Sequence, residues 1–221
     1  MIALPRTWPV WDLFYPPRCA QCGDGLEGDD VWFCRQCWVD APFSDPRRPI
    51  KSPDITQLRA GFEFSDGNLI RRAVHGLKYS GHTRLAMVMA RQLLARVPAK
   101  FVEADIAWCV VPLHWSRRLL RGFNQSALLA EALVRETGHP AARALLRRTR
   151  YTPSQTSRSV RERRANVKGA FSLTRHAVVP KSVLLIDDVI TTGATVNECA
   201  AVLKAGGAEW VGALAFALTR S

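Results

Sequence analysis

The chain has 221 residues, 48% hydrophobic and 23% charged, with a formal net charge of +12. That balance excludes wholesale disorder and suits one medium α/β domain with a small appendage. The longest apolar stretches are like Val211–Leu218, far short of the roughly 20 residues of a spanning helix, so no membrane insertion is expected. Met1–Trp11 has no continuous apolar run and no small-residue cleavage site, which reads as mature cytoplasmic sequence. The positive charge points to phosphates, of a small substrate or a nucleic acid. It is concentrated in Arg117, Arg118 and Arg121, and again from Arg143 to Lys168.

Residues 1–45 are rich in Trp, Pro, Cys and Asp and show little periodicity. They contain Cys19-x-x-Cys22 and Cys34-x-x-Cys37. Each pair can form a knuckle with both thiolates on one face, and two knuckles supply a tetrahedral site for one structural Zn²⁺. Without a secretory signal, that spacing reads as metal binding before disulfides. So short and polar a segment cannot bury enough core alone, and metal would stabilise it. Asp45–Asp54 is charged and punctuated by prolines, so residues 46–60 read as a linker and 61–221 as the main domain. Loss of Cys22 is then expected to unfold the first module and spare much of the second.

Gly61–Ser65 reads as a strand, Asn68–Lys78 and Leu85–Val97 as helices, and Ile106–Val111 as a buried strand stopped by Pro112. Asn124–Arg135 reads as a helix, and Ala141–Thr149 fits either a short strand or a helix. Tyr151–Lys168 is polar, basic and aperiodic. Val183–Ile186 is a buried strand, Val196–Lys204 a helix ended at Gly206-Gly207, and Trp210–Phe216 a strand. Cys109 and Cys199 fall in buried patterns. The alternation predicts an α/β fold with a parallel sheet and helices on its faces.

In such a sheet, ligands bind beyond the carboxyl ends of strands. Asp187 and Asp188 follow the apolar strand, and Thr191-Thr192-Gly193-Ala194-Thr195 leads into a helix. A turn opening a helix offers backbone N–H groups and a positive dipole end to a phosphate. Gly193 permits close backbone approach, and the threonines add hydroxyls. Paired carboxylates beside such a site can take ribose hydroxyls and can hold Mg²⁺ directly or through water. Val110–Arg118 leaves the same sheet edge after the first parallel strand. Leu113 and His114 are candidate ligand contacts there, and Arg117 and Arg118 are suited to pair pyrophosphate oxygens.

The Asp187–Thr195 segment closely resembles the 5-phosphoribosyl 1-pyrophosphate signature of type I phosphoribosyltransferases. The resemblance implies that Asp187 and Asp188 take the ribose hydroxyls and that residues 191–195 wrap the 5-phosphate. Tyr151–Lys168 resembles the loop that such enzymes close over substrate, with Arg158, Arg161, Arg163 and Arg164 as candidates to reach the pyrophosphate. Leu77–Gly81, Val111–His114, Arg121–Gln125, Arg150–Gln155, Arg163–Asn166 and Gly169–Phe171, together with that segment, resemble the ComF family over essentially the whole chain. The fold implied is a type I phosphoribosyltransferase domain behind a zinc ribbon. The partners implied are 5-phosphoribosyl 1-pyrophosphate with Mg²⁺, single-stranded DNA, and DNA-uptake or helicase machinery. The main domain also resembles the phosphoribosyl-transferring half of amidophosphoribosyltransferases, without their glutaminase portion. A second reading is therefore a single-stranded-DNA-binding accessory factor in which the phosphate site is regulatory or vestigial.

Overall fold

Four parallel strands form the central sheet in the computed structural model, which describes residues 16–45, 52–80, 83–102, 105–113, 122–150 and 165–219. The strands are β1 (Gln57–Phe64), β2 (Ala107–Val110), β5 (Ser182–Ile190) and β6 (Trp210–Thr219), in the spatial order β1-β6-β5-β2. A short antiparallel pair, β3 (Leu146–Arg148) with β4 (Phe171–Leu173), stands apart from it. The described helices are α1 (Arg35–Val39), α2 (Leu69–Ser80), α3 (Thr83–Leu94), α4 (Gln125–Thr137) and α5 (Ala194–Ala205). The expected α/β architecture with a parallel sheet is present.

Side chains alternate along β5, and the alternation divides the core. Leu184 and Ile186 face a layer made of α2, α3, α4 and the cysteine module. Val183 and Leu185 face α5 and the β3–β4 pair, together with Cys109 and Cys199. Burial on both faces explains the unbroken apolar run, as parallel sheets require.

The elements differ from their sequence outlines at identifiable places. β1 starts at Gln57, inside the stretch read as linker, and pairs with β6 from Gln57↔Gly212 onward. Arg59 interrupts its apolar pattern, while Leu58 and Ala60 pack partly buried on the sheet. β5 continues through Asp187 and Asp188 to Ile190, because Asp187, Val189 and Ile190 stay in register with Ala215, Ala217 and Leu218 of β6. The undecided Ala141–Thr149 stretch contains β3.

The cysteine module is not a separable appendage. Trp38 of α1 is buried between Phe33, Phe62 and Phe216, at ring-centroid distances of 5.5, 5.9 and 6.3 Å. The Arg96 guanidinium lies over the Phe43 and Phe62 rings and donates to the Trp38 carbonyl at 3.0 Å. This packing stands against the expectation that losing Cys22 spares the remaining domain: the module supplies part of the core on which β1 and β6 rest.

Candidate functional site: a carboxylate cleft and a cysteine cluster

β2 and β5 are adjacent and parallel, so the chain segments leaving their carboxyl ends emerge side by side. From β2 come Pro112 and Leu113; from β5 come the two aspartates and the turn into α5. Asn124 ties these segments to α4. Its side chain caps the helix by accepting from the Ser126 N–H at 3.1 Å and donates to the Val111 carbonyl at 3.2 Å.

The result is a cleft of about 190 Å³ whose wall includes Lys78, Leu113, Arg148, Asp187, Asp188 and Thr195. Asp187 Oδ1 accepts from the Ser126 hydroxyl and from the Asp188 N–H, both at 2.9 Å. Burial, and then the neighbouring Asp188 charge, push the Asp187 carboxyl well above the usual carboxylate range. Lys78 Nζ lies 3.2 Å from Asp188 Oδ2. The approach misses hydrogen-bond geometry, and that shielded oxygen has no hydrogen-bond donor among the described residues. Gln125, also in the cleft wall, is 2% exposed, and its Nε2 is likewise buried without an acceptor among them. An unmet acceptor and an unmet donor in one polar cleft suit a ligand carrying hydroxyls or bound cations.

Thr191, Thr192, Gly193, Ala194 and Thr195 wrap an adjoining cavity of about 40 Å³, which shares Asp187 and Thr195 with the cleft. Gly193 stands before α5 at φ 74, a left-handed backbone that favours glycine. Its carbonyl accepts from Asn197 N–H at 2.9 Å, closing the first helical turn. The structure thus brings together Leu113, Asp187, Asp188 and residues 191–195. His114, Arg117, Arg118, Arg161 and Arg163 lie outside the described residues. Arg150 donates to the Asn166 and Lys168 carbonyls at 3.1 and 2.7 Å, while residues 151–164 lie outside the described residues.

Lys78, Ser126, Gln125 and Arg148 also belong to this site, though sequence reasoning gave them no role. Lys78 comes from the helix following β1, and only the fold carries it to Asp188. Arg148 sits in β3 with its guanidinium 5.2 Å from the Phe171 ring centre.

The second cluster is local. The sulfurs of Cys19, Cys22, Cys34 and Cys37 all lie within 4.8 Å of one another, so one metal ion could be held by all four. Cys19 Sγ is 3.8 Å from Cys37 Sγ, and Cys22 Sγ is 3.7 Å from Cys34 Sγ. The Gln21 and Cys34 N–H groups donate to Cys19 Sγ at 3.4 and 3.3 Å. Burial opposes ionisation of Cys19, but N–H donors of Cys22, Cys34 and Gln21 outweigh it and lower its thiol to about 6. Burial first, then the neighbouring cysteines, push Cys37 up.

No helix among the described residues is long and apolar enough to cross a membrane. No family model matches the chain. It is 32% identical over 197 residues to competence protein F of Haemophilus influenzae, covering 87% of this chain and 81% of that protein. It is 36% identical over 207 residues to DNA utilization protein YhgH of Escherichia coli K12, covering 87% and 86%. Competence protein ComFC of Streptococcus pneumoniae matches about half of each chain, 53%, at 34% identity. With identities above 30% over most of both partners, the chain belongs to the ComF family of competence and DNA utilization proteins.

Proposed function

We propose that the cleft binds 5-phosphoribosyl 1-pyrophosphate together with Mg²⁺, and that this ligand serves the chain's part in DNA utilization. Asp188 Oδ2, buried beside the Lys78 ammonium but without a hydrogen-bond donor among the described residues, carries the reading. It stands at a strand end beside a glycine-led helix start, where ribose hydroxyls on one side and a 5-phosphate on the other have matching partners. Asp188 would hold the cation or a hydroxyl, Asp187 would remain anchored by Ser126, and the 191–195 turn would take the phosphate. Mg²⁺, when bound, neutralises pyrophosphate and eases its departure from C1. The chain's own work is to orient the ribose and to keep carboxylates beside C1's hydroxyl-bearing neighbours. Titration of 5-phosphoribosyl 1-pyrophosphate by calorimetry, with and without Mg²⁺, tests the reading: Mg²⁺-dependent binding is expected. Pyrophosphate release on adding candidate nucleophiles then shows whether transfer follows.

Zinc suits the four-cysteine cluster. Zn–S bonds of about 2.3 Å place tetrahedral sulfurs about 3.8 Å apart, which agrees with the 3.7 and 3.8 Å pairs. Six free thiols also fit a reducing compartment, in keeping with a cytoplasmic location.

A specific observation favours single-stranded DNA as a second ligand. On the exposed side of α2, Arg71, paired with Asp66, and Arg72, which donates to the Ala20 carbonyl, precede a His75–Tyr79 ring pair with centroids 4.7 Å apart, and Tyr79 is 69% exposed. Cations followed by open rings match alternating phosphates and bases. Fluorescence anisotropy with a labelled oligonucleotide should show binding that weakens steeply with salt and is reduced by Tyr79→Ala.

A further inference from the structure

We propose that Lys78 contacts the ligand of the carboxylate cleft, and that the cysteine module sets its position through α2. The ligand rests on the phosphoribosyl reading above; the position of Lys78 does not.

The Lys78 side chain is 26% exposed and reaches across the cleft to Asp188, with Nζ 3.2 Å from Oδ2. Across the cleft the ammonium partly neutralises that carboxylate. A ribose hydroxyl or a divalent cation arriving at Asp188 takes over this task and frees Nζ for phosphate oxygens, three donors on a flexible stem. Arg148 on the opposite chain segment completes a cationic rim.

How α2 is held decides where Nζ can reach. Its inner side, Leu69, Ile70, Ala73, Val74 and Leu77, is buried in the core. Its other side meets the cysteine module. A Cβ at Gly76 would lie 2.4 Å from Cζ3 of Trp32 and 3.0 Å from two further ring atoms, so the indole sits directly on the helix backbone, two residues before Lys78. Trp32 has φ 67, a left-handed backbone that a bulky side chain rarely adopts. It is kept there from the metal-ligand side. Its carbonyl accepts from Ala20 N–H at 2.7 Å, inside the first knuckle, and the Cys34 N–H two residues on donates to Cys19 Sγ at 3.3 Å. Arg72 of α2 donates to the Ala20 carbonyl. The first knuckle therefore touches α2 twice, through Arg72 and through Trp32, and Lys78 lies within one turn of the Trp32 seat and within two turns of Arg72. Trp32 and Gly76 are positioning residues; Lys78 is the contacting one.

The experiment uses the full chain with its metal and compares wild type, Lys78→Met, Trp32→Ala, their combination, and Trp32→Phe. Two readouts are taken: calorimetric titration of 5-phosphoribosyl 1-pyrophosphate with Mg²⁺, and the acylation rate of Lys78 relative to the other lysines, by mass spectrometry without ligand. Circular dichroism reports folding. Lys78→Met should weaken binding about tenfold or more, Trp32→Ala by a similar factor, and the combination no further than Lys78→Met alone. Trp32→Phe should restore most of the loss. Lys78 acylation should rise in Trp32→Ala. Wild-type affinity in Lys78→Met, or losses that multiply in the combination, overturns the proposal. If Trp32→Ala does not fold, Gly76→Ala, which displaces the ring while keeping it, takes its place with the same expectations. If wild type binds no 5-phosphoribosyl 1-pyrophosphate, the phosphoribosyl reading fails and with it the ligand contact. The acylation ratio then decides the positioning alone, and an unchanged ratio overturns that as well.

Discussion

The cysteine cluster draws all four of its sulfurs from Cys19–Cys37, whereas the carboxylate cleft takes its walls from α2, the segment after β2, α4, β3, and β5 with the turn beyond it. The first is closed by local spacing and sits on the core; the second exists only once the parallel sheet has formed. A local site can be complete before the fold and can help to stabilise it. An assembled site reports on the fold and carries costs the fold must bear, here a buried carboxyl and unmet polar atoms. The two meet at α2, one side of which holds Trp32 and the other Lys78.

Breaking the four-cysteine cluster should have the largest effect. Because Trp38 and Phe33 share a core with Phe62 and Phe216, Cys22→Ser or metal chelation should lower the melting temperature of the whole chain by roughly 10 °C or more. Scanning calorimetry should show one displaced transition. Two transitions, the later one unmoved, would restore the picture of independent units.

Asp188→Ala comes next and touches only the cleft. It removes both acceptor oxygens, so on the proposed reading ligand affinity should fall by about 1.5–3 kcal/mol for each charge-assisted hydrogen bond lost. The melting temperature should stay close to wild type, because the group lies at a strand end. A large fall in stability would mean that the Lys78–Asp188 contact is mainly structural.

Asp187→Asn should give the smallest change and the most diagnostic one. The folded chain holds the Asp187 proton more tightly than the unfolded chain does. The empty protein therefore loses stability as pH rises from the ordinary carboxylate range through the raised value. On the proposed reading, affinity for the Mg²⁺-bound ligand should rise over the same window, as the Asp187 carboxyl loses its proton. Asparagine can still accept from Ser126 and Asp188 N–H, so the variant should stay folded, with both pH dependences flattened. Calorimetric titrations across that window check it.

Legibility followed the same division. The two Cys-x-x-Cys knuckles were readable because their chemistry lies in consecutive residues. So was the path from β5 through the threonine-glycine turn to α5, where an apolar run, two acids and Gly193 each require a particular backbone. Lys78 was not, because helical periodicity marks it only as the solvent side of Leu77. Gln125 and Ser126 look like ordinary first-turn residues until α4 packs beside β5. β3 is too short for any period to show, and the seat of Trp32 on Gly76 is a tertiary contact between segments with no shared pattern.

The phosphoribosyl reading requires the β5 turn to grip a phosphate while the aspartates hold the attached ribose. Titrating 5-phosphoribosyl 1-pyrophosphate with Mg²⁺ into wild type and Gly193→Val, with circular dichroism as the folding control, tests it most directly. Valine at φ 74 is strained and fills the space of the phosphate contact. Saturable binding to wild type and none to folded Gly193→Val is expected. A wild type that does not bind at millimolar ligand, or a folded variant that binds equally well, would contradict it.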